Sequence, residues 1–256
     1  MIALPYVPTP SWPIALPILG AHELTPFGPV LAIGVIVGLR RCRALAAKRG
    51  LPTAQLDPLT TAVLVLGFAM AHWVSLVFYY PEQVIARPWS LLLFTSGLSS
   101  VGGFIGGALG FAWICRRRGL APRQWADVLA YGLLIGFTIG RIGCSIVHDH
   151  PGATSDSIFA VGPWPDGSRR WDLGLVEACV LAIVCAVVYL RVDVARLAPG
   201  RFTAALAILY GSGRFALDFL RADDVRYAGL TTAQLACLAF VGAGALLWRR
   251  SNQRDA

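Results

Sequence analysis

Val128-Leu129-Ala130-Tyr131-Gly132-Leu133-Leu134-Ile135-Gly136-Phe137-Thr138-Ile139 carries no charge and runs straight into Gly140-Arg141-Ile142-Gly143-Cys144-Ser145-Ile146-Val147-His148-Asp149-His150-Pro151-Gly152. A guanidinium at bilayer depth costs about 2.5–3.5 kcal/mol on insertion scales, so an arginine such as Arg141 persists there mainly when it meets a partner or a ligand. A second arginine, Arg214, lies inside another apolar stretch, Thr203 to Phe219. Two such arginines point to a site for something anionic within a membrane protein, and a lipid phosphate is the first candidate.

The rest of the chain agrees with that class. Hydrophobic residues make up 56%, charged residues 14%, and the mean hydropathy is +0.64, outside the range of soluble globular domains. Apolar windows of bilayer length fall at about Phe27–Leu39, Leu59–Tyr80, Leu91–Cys115, Trp125–Val147, Leu173–Leu190, Phe202–Leu220 and Gly229–Trp248. The expected fold is therefore an all-α polytopic integral membrane protein with about seven transmembrane helices. Of the 22 Lys and Arg residues, fifteen follow the first, third, fifth and seventh windows and five lie in the alternate loops. By the positive-inside rule the N-terminus is expected outside and the C-terminus in the cytoplasm. The cations thus mark membrane edges, and the net charge of +8 does not argue for nucleic acid.

Residues 1–25, with Pro5, Pro8, Pro10, Pro13 and Pro17, cannot hold a regular helix and read as an external proline-rich arm with Trp12 at headgroup level. Residues 26–248 read as one transmembrane domain, with an external loop over 148–172 and a cytoplasmic tail over 249–256. At about 25 residues this loop exceeds ordinary connections, and Gly167-Ser168 after Pro165-Asp166 predicts a tight turn at a hairpin tip. Six cysteines are scattered without a metal or redox spacing, which argues against a disulfide framework. His148 and His150 are joined only by the remote His22 and His72, so no metal and no cofactor is expected.

The third window opens with Ser96-Gly97-Leu98-Ser99-Ser100-Val101-Gly102-Gly103-Phe104-Ile105-Gly106-Gly107. The pairs Gly102/Gly106 and Gly103/Gly107 suit close helix packing. Alternatively, the missing side chains let a headgroup approach the backbone while Ser96, Ser99 and Ser100 offer hydroxyls.

Several segments in order resemble the prolipoprotein diacylglyceryl transferase family. Gly140, Arg141, Gly143 and Gly152 match its signature G-R-x-G-N-F-x-N-x-E-x-x-G, with Asp149 at the Glu. The stretch Ser99 to Gly106 resembles its S-x-H-G-G-x-x-G. Tyr210-Gly211-Ser212-Gly213-Arg214-Phe215-Ala216-Leu217-Asp218-Phe219-Leu220-Arg221-Ala222-Asp223 is similar to its Y-G-x-x-R-F-x-x-E-F-x-R-x-D, and Thr231-Thr232-Ala233-Gln234 to the M/T-x-x-Q that follows. A weaker match sets Arg170 to Glu177 against R-H-P-x-Q-L-Y-E. Phe27, Val101, Cys144, Val147 and Trp171 stand where the family has Tyr, His, Asn, Asn and His.

The resemblance implies transfer of the diacylglyceryl group of phosphatidylglycerol to the lipobox cysteine of a prolipoprotein signal peptide, in the bacterial cytoplasmic (inner) membrane. Arg141 and Arg214 are expected to clamp the phosphate, as the planar fork of donors allows. Gly102, Gly103, Gly152, Arg221, Asp218 and Glu177 complete the expected substrate site, with Asp218 pairing Arg214 at i, i+4 and Glu177 pairing either arginine. The acceptor thiol, with a pKa of about 8.5, needs a base, and His148 is the expected one, oriented by Asp149. Alternative readings are transfer to a different acceptor and a lipid-binding protein without chemistry.

Overall fold

The structure is a computed structural model that describes residues 4–16, 20–92, 98–222 and 226–252. Its helices are α1 (Phe27–Lys48), α2 (Leu56–Tyr79), α3 (Pro81–Ala86), α4 (Ser100–Arg118), α5 (Pro122–Val147), α6 (Leu173–Arg191), α7 (Arg201–Leu217) and α8 (Thr232–Asn252). The strands are short: β1 (Leu4–Pro5), β2 (Trp12–Leu16), β3 (Gly20–Leu24), β4 (Pro151–Thr154), β5 (Val161–Gly162), β6 (Arg170–Asp172), β7 (Arg226–Tyr227) and β8 (Leu230–Thr231). The chain forms two compact units, one of residues 1–49 with 126–256 and one of residues 50–125.

Four helical segments are long and apolar enough to cross a bilayer: Thr53–Tyr79, α5, α6 and α8. The other three long helices are less clear spans for physical reasons. The helix α7 has 17 residues, about 26 Å at 1.5 Å per residue, against a hydrocarbon core of about 30 Å. Basic residues occupy the last turns of α1 and α4. Ile183, Val187 and Leu190 on α6, and Leu235, Leu238 and Leu246 on α8, are exposed, the outward apolar surface expected of a protein solvated by lipid.

Glycines set the helix packing in both units. In the first, Gly34 and Gly38 of α1 face Gly136 and Gly132 of α5. A methyl on Gly34 would come within 2.7 Å of the Gly136 carbonyl, and one on Gly38 within 2.8 Å of the Gly132 carbonyl, so only small residues permit this approach. In the second unit Gly102, Gly106 and Gly110 form the buried stripe of α4 against the α2 backbone. Ser99 caps that helix by accepting from the Gly102 N–H at 3.4 Å, as its position before the first turn dictates. Its hydroxyl is therefore used locally. Ser96 and Gly97 lie outside the described residues.

Within the first unit α5 and α6 are antiparallel neighbours. The Tyr189 hydroxyl donates to the Tyr131 carbonyl at 2.5 Å, and the Thr138 hydroxyl meets the Cys185 thiol at 3.2 Å. This alignment brings the end of α5, with Arg141, to the start of α6, with Glu177.

The expected all-α fold acquires small sheets outside the long helices. The proline-rich arm forms a hairpin of β2 and β3, with Trp12 opposite Leu24. The long loop folds with the arm into one four-stranded sheet of order β1-β5-β6-β4. Its predicted turn is present: the Gly167 N–H donates to the Trp164 carbonyl at 2.8 Å and Asp166 accepts from the Ser168 N–H at 2.9 Å, with Gly167 at φ +77°, a conformation that suits glycine.

Candidate active site

The sheet and three helices converge on a group of buried charges. Arg141, Glu177, Arg214 and Asp218 are all buried, a placement that demands pairing. The Arg141 Nε lies 3.1 Å from Glu177 Oε2, and the Arg214 Nε lies 3.8 Å from the same oxygen. Arg214 also meets Asp218 at 2.8 Å through Nη2, the i, i+4 pair that the spacing predicts. Arg221, partly exposed, approaches Asp218 at 3.9 Å. One carboxylate from α6 thus ties together arginines from α5 and α7, and a second ties α7 to the segment after it.

The surroundings hold these groups in place. The Tyr210 hydroxyl, one turn before Arg214, donates to Glu177 Oε1 at 2.9 Å. The ring of Phe137 lies under the Arg141 guanidinium at 4.9 Å, a contact that supports a desolvated cation. Asp218 Oδ2 accepts from the Thr231 hydroxyl. Thr231 and Gln234 form a reciprocal cap at the start of α8, each accepting from the other's backbone N–H at 3.0 Å. The T-x-x-Q similarity noted in the sequence thus fixes the helix end that holds Asp218.

Gly152 pairs with Arg221 through a backbone bridge. A methyl on Gly152 would lie 2.9 Å from the Trp171 Cβ and 3.0 Å from the Leu220 carbonyl, so this glycine lets the strand seat beside Arg221. Gly102 and Gly103 belong to the other unit, where the space freed at Gly102 is filled by Met70, Ala71 and Val74 of α2. This packing corrects the expectation that a headgroup uses the Gly102 face.

Sequence reasoning favoured His148 over His150, and the geometry separates them in the other direction. His148 Nδ1 lies 2.6 Å from Asp172 Oδ2 and its Nε2 lies 3.0 Å from the Val7 carbonyl, while Tyr6 stacks on the ring at 4.5 Å. Both nitrogens are taken up by acceptors within the protein, so neither is directed at a substrate. Asp172 in turn caps α6 by accepting from the Leu175 N–H at 3.1 Å. His148, whose φ is +51°, ties the N-terminal arm to the start of α6. Its partner is Asp172, not Asp149.

His150 instead joins Asp149 and Cys144, with one polar atom from each lying within 4.8 Å of the others. Arg141 Nη1 donates to Cys144 Sγ at 3.8 Å, so the thiol replacing the family's Asn still links Arg141 to this trio. A guanidinium that close to the sulfur opposes a divalent cation among the three ligands. Burial, followed by the positive charge of Arg141, Arg221 and Arg214, holds the His150 pKa down to about 3. Burial raises that of Asp149, an effect which Arg141 opposes.

Not all polar atoms here find partners. Arg214 Nη1 and His150 Nδ1 are buried without a hydrogen-bond partner among the described residues. Arg141 Nε and Asp218 Oδ1 touch their counter-ions but lack hydrogen-bond alignment. Tyr210, Cys144 and Asp172 were given no role in the site by sequence reasoning, although Tyr210 opens a family-like segment and Cys144 stands at a family Asn. A signal existed for Tyr210, which precedes Arg214 by one helical turn and so shares its face.

Residues 13–250 match the sequence model of the family described as prolipoprotein diacylglyceryl transferase. The chain is similar to the phosphatidylglycerol--prolipoprotein diacylglyceryl transferase of Gloeobacter violaceus, 27% identical over 93% of this chain and 94% of that one. It is similar also to the proteins of the same name from Chromohalobacter salexigens, 30% identical over 95% of this chain and 94% of that one, and Leifsonia xyli, 29% identical over 96% and 80%. With the match spanning nearly all of the chain, and with the arginines of two signature segments gathered around shared carboxylates, the protein belongs to the prolipoprotein diacylglyceryl transferase family.

Proposed function

We propose that this protein transfers the diacylglyceryl group of phosphatidylglycerol to the lipobox cysteine of a prolipoprotein. The observation that carries the reading is the ion-pair cluster itself. Arg141 and Arg214 share Glu177, and Arg214 and Arg221 share Asp218, so the guanidiniums hold donors that these carboxylates do not fill. A phosphodiester carries one negative charge. Arg214 Nη1, buried and unpartnered, is a donor such an anion would satisfy, and leaving it unmet costs about 1–3 kcal/mol or more.

In this reading the headgroup phosphate sits against Arg141 and Arg214, with Arg221 at the rim. Glu177 and Asp218 orient the guanidiniums, and Tyr210 holds Glu177. The acceptor sulfur attacks the glyceryl carbon that bears the phosphate ester, the C–O bond breaks, and glycerol phosphate departs. Charge grows on the departing oxygen, where preorganised arginine donors stabilise the transition state. Gly152 positions the strand beside Arg221.

The orientation that fits is seven crossings with the N-terminus outside, in the bacterial cytoplasmic membrane, with the arm of residues 1–25 and the loop of 148–172 external and residues 249–256 cytoplasmic. Fifteen cations against five in alternate loops support it. A cysteine placed at Asp156 should react with an impermeant label from outside and one at Arg117 should not; the reverse pattern overturns the orientation. The activity is tested by complementing a strain depleted of its transferase, with lipoprotein mobility as readout. Restored mobility is expected. A purified protein that binds phosphatidylglycerol yet transfers nothing to a lipobox peptide would contradict the reading.

A further inference from the structure

The transfer reading leaves one proton unassigned. A thiol of pKa about 8.5 is only a few per cent ionised near neutrality, and a positioned base is the ordinary remedy. The carboxylates of Glu177 and Asp218 are committed to arginines. His148 has both nitrogens occupied. His72, in the other unit, has its Nε2 against the Ser90 carbonyl at 3.0 Å. His150 differs from these: its Nδ1 is buried and has no partner among the described residues, and the ring's other contacts run to its neighbour Asp149, to the backbone and, from Nε2 at 3.7 Å, to Oδ1.

Resting on the transfer reading, we propose that His150 is the base that takes the proton of the acceptor thiol, and that the anionic lipid headgroup activates it by occupying the surrounding arginines. The geometry places His150 within 4.8 Å of Cys144 Sγ, the sulfur that Arg141 Nη1 touches. The titratable and charged groups about its ring come from every side of the cluster: Arg141 and the thiol of Cys144 from α5, Asp149 beside it in the loop, Arg214 from α7 and Arg221 beyond that helix. Three of these are permanent cations.

Burial first, and the three cations after it, leave the base idle without lipid. With burial and three arginines holding its pKa near 3, His150 cannot draw a proton from a thiol whose pKa lies more than five units higher. A phosphodiester anion on the arginines cancels part of their field and so raises the basicity of the imidazole, although its burial remains. Lipid therefore binds first and the proton moves second. The acceptor S–H proton passes to His150 Nδ1 as the sulfur forms its bond to the glyceryl carbon. The C–O pair leaves with the phosphate oxygen, and the imidazolium returns the proton to that oxygen. Thioether and glycerol phosphate account for every atom. The same linkage requires that phosphatidylglycerol bind more tightly as pH falls through the lipid-bound pKa of His150, because lipid favours the protonated ring.

The test uses the full chain in nanodiscs containing phosphatidylglycerol, with a lipobox peptide as acceptor. His150→Gln should lower kcat by about 10²–10⁴-fold while phosphatidylglycerol affinity at pH 7.5 stays within about twofold. Its rate should rise nearly tenfold per pH unit up to the thiol pKa, where the unsubstituted protein rises less. Added imidazole should partly restore His150→Gly, and His148→Gln should lose far less turnover. Full turnover with an unaltered pH profile in His150→Gln overturns the base assignment and leaves the transfer reading intact. Loss of lipid binding in step with turnover, with no rescue by imidazole, overturns it in favour of a structural role. No transfer by the unsubstituted protein overturns the transfer reading itself.

Discussion

Two clusters of buried charge lie in the same unit, one at each end of α5, and they are built to different standards. At Asp127 nearly every group is matched. Its Oδ2 accepts from Arg49 Nη1 at 3.0 Å and from the Gly200 N–H at 2.9 Å, and its Oδ1 accepts from the Thr203 N–H at 2.9 Å and hydroxyl at 2.7 Å. Arg49 Nη2 continues to the Val194 and Leu197 carbonyls at 2.8 and 3.3 Å, leaving its Nε as the unmatched atom. Around Arg141 and Arg214, by contrast, two arginines share one carboxylate and several donors and acceptors lack aligned partners. A saturated cluster fastens helices. An unsaturated one that remains buried retains binding capacity for a ligand, at a standing cost in stability.

Substitutions at the two ends should therefore fail in different ways. The largest effect on stability is expected at the saturated end: Asp127→Ala leaves Arg49 buried and unpaired and should destabilise the protein by about 3–5 kcal/mol. Lipid affinity of the molecules that remain folded should not change, as denaturation in detergent and lipid titration would show. At the other end Arg141→Ala should cost about 10²–10³-fold in transfer, the scale of one lost transition-state donor, with a smaller loss of stability than Asp127→Ala. Equal destabilisation by the two would break the contrast. The smallest effect belongs to Tyr210→Phe, which removes one hydrogen bond to Glu177. It should cost about 1 kcal/mol, seen as a fewfold loss of turnover through a less firmly held Arg141.

Much of the helical framework was legible because apolar runs declare themselves. The window Trp125–Val147 became Pro122–Val147 and Leu173–Leu190 became Leu173–Arg191. The third window failed at its start: α4 begins at Ser100, where Ser99 supplies the cap, and Leu91 belongs to a short 3₁₀ turn. Hydropathy does not register a cap. The Arg214–Asp218 pair was legible because both ends lie within one helical turn. Arg49 with Asp127 and His148 with Val7 were not, since partners 78 and 141 residues apart are chosen by the fold. The expected pairing of His148 with Asp149 failed for the same reason: Asp149 is the sequence neighbour, but Asp172 is the spatial one. Gly102 and Gly106 were visible as a packing spacing, although nothing local named Met70 and Leu66 of α2 as what they meet.

The central claim is that the unsaturated arginine cluster binds a lipid phosphate. Phosphatidylglycerol affinity should be measured for the unsubstituted protein, Arg214→Lys and Arg214→Ala, each checked for folding. A charged hydrogen bond contributes about 1.5–3 kcal/mol, so Ala should weaken binding by roughly 10–100-fold. Lys, which keeps the charge and loses the planar fork, should recover only part of that. Unchanged affinity in a folded Arg214→Ala protein would contradict the claim and leave the arginine as a structural ion pair.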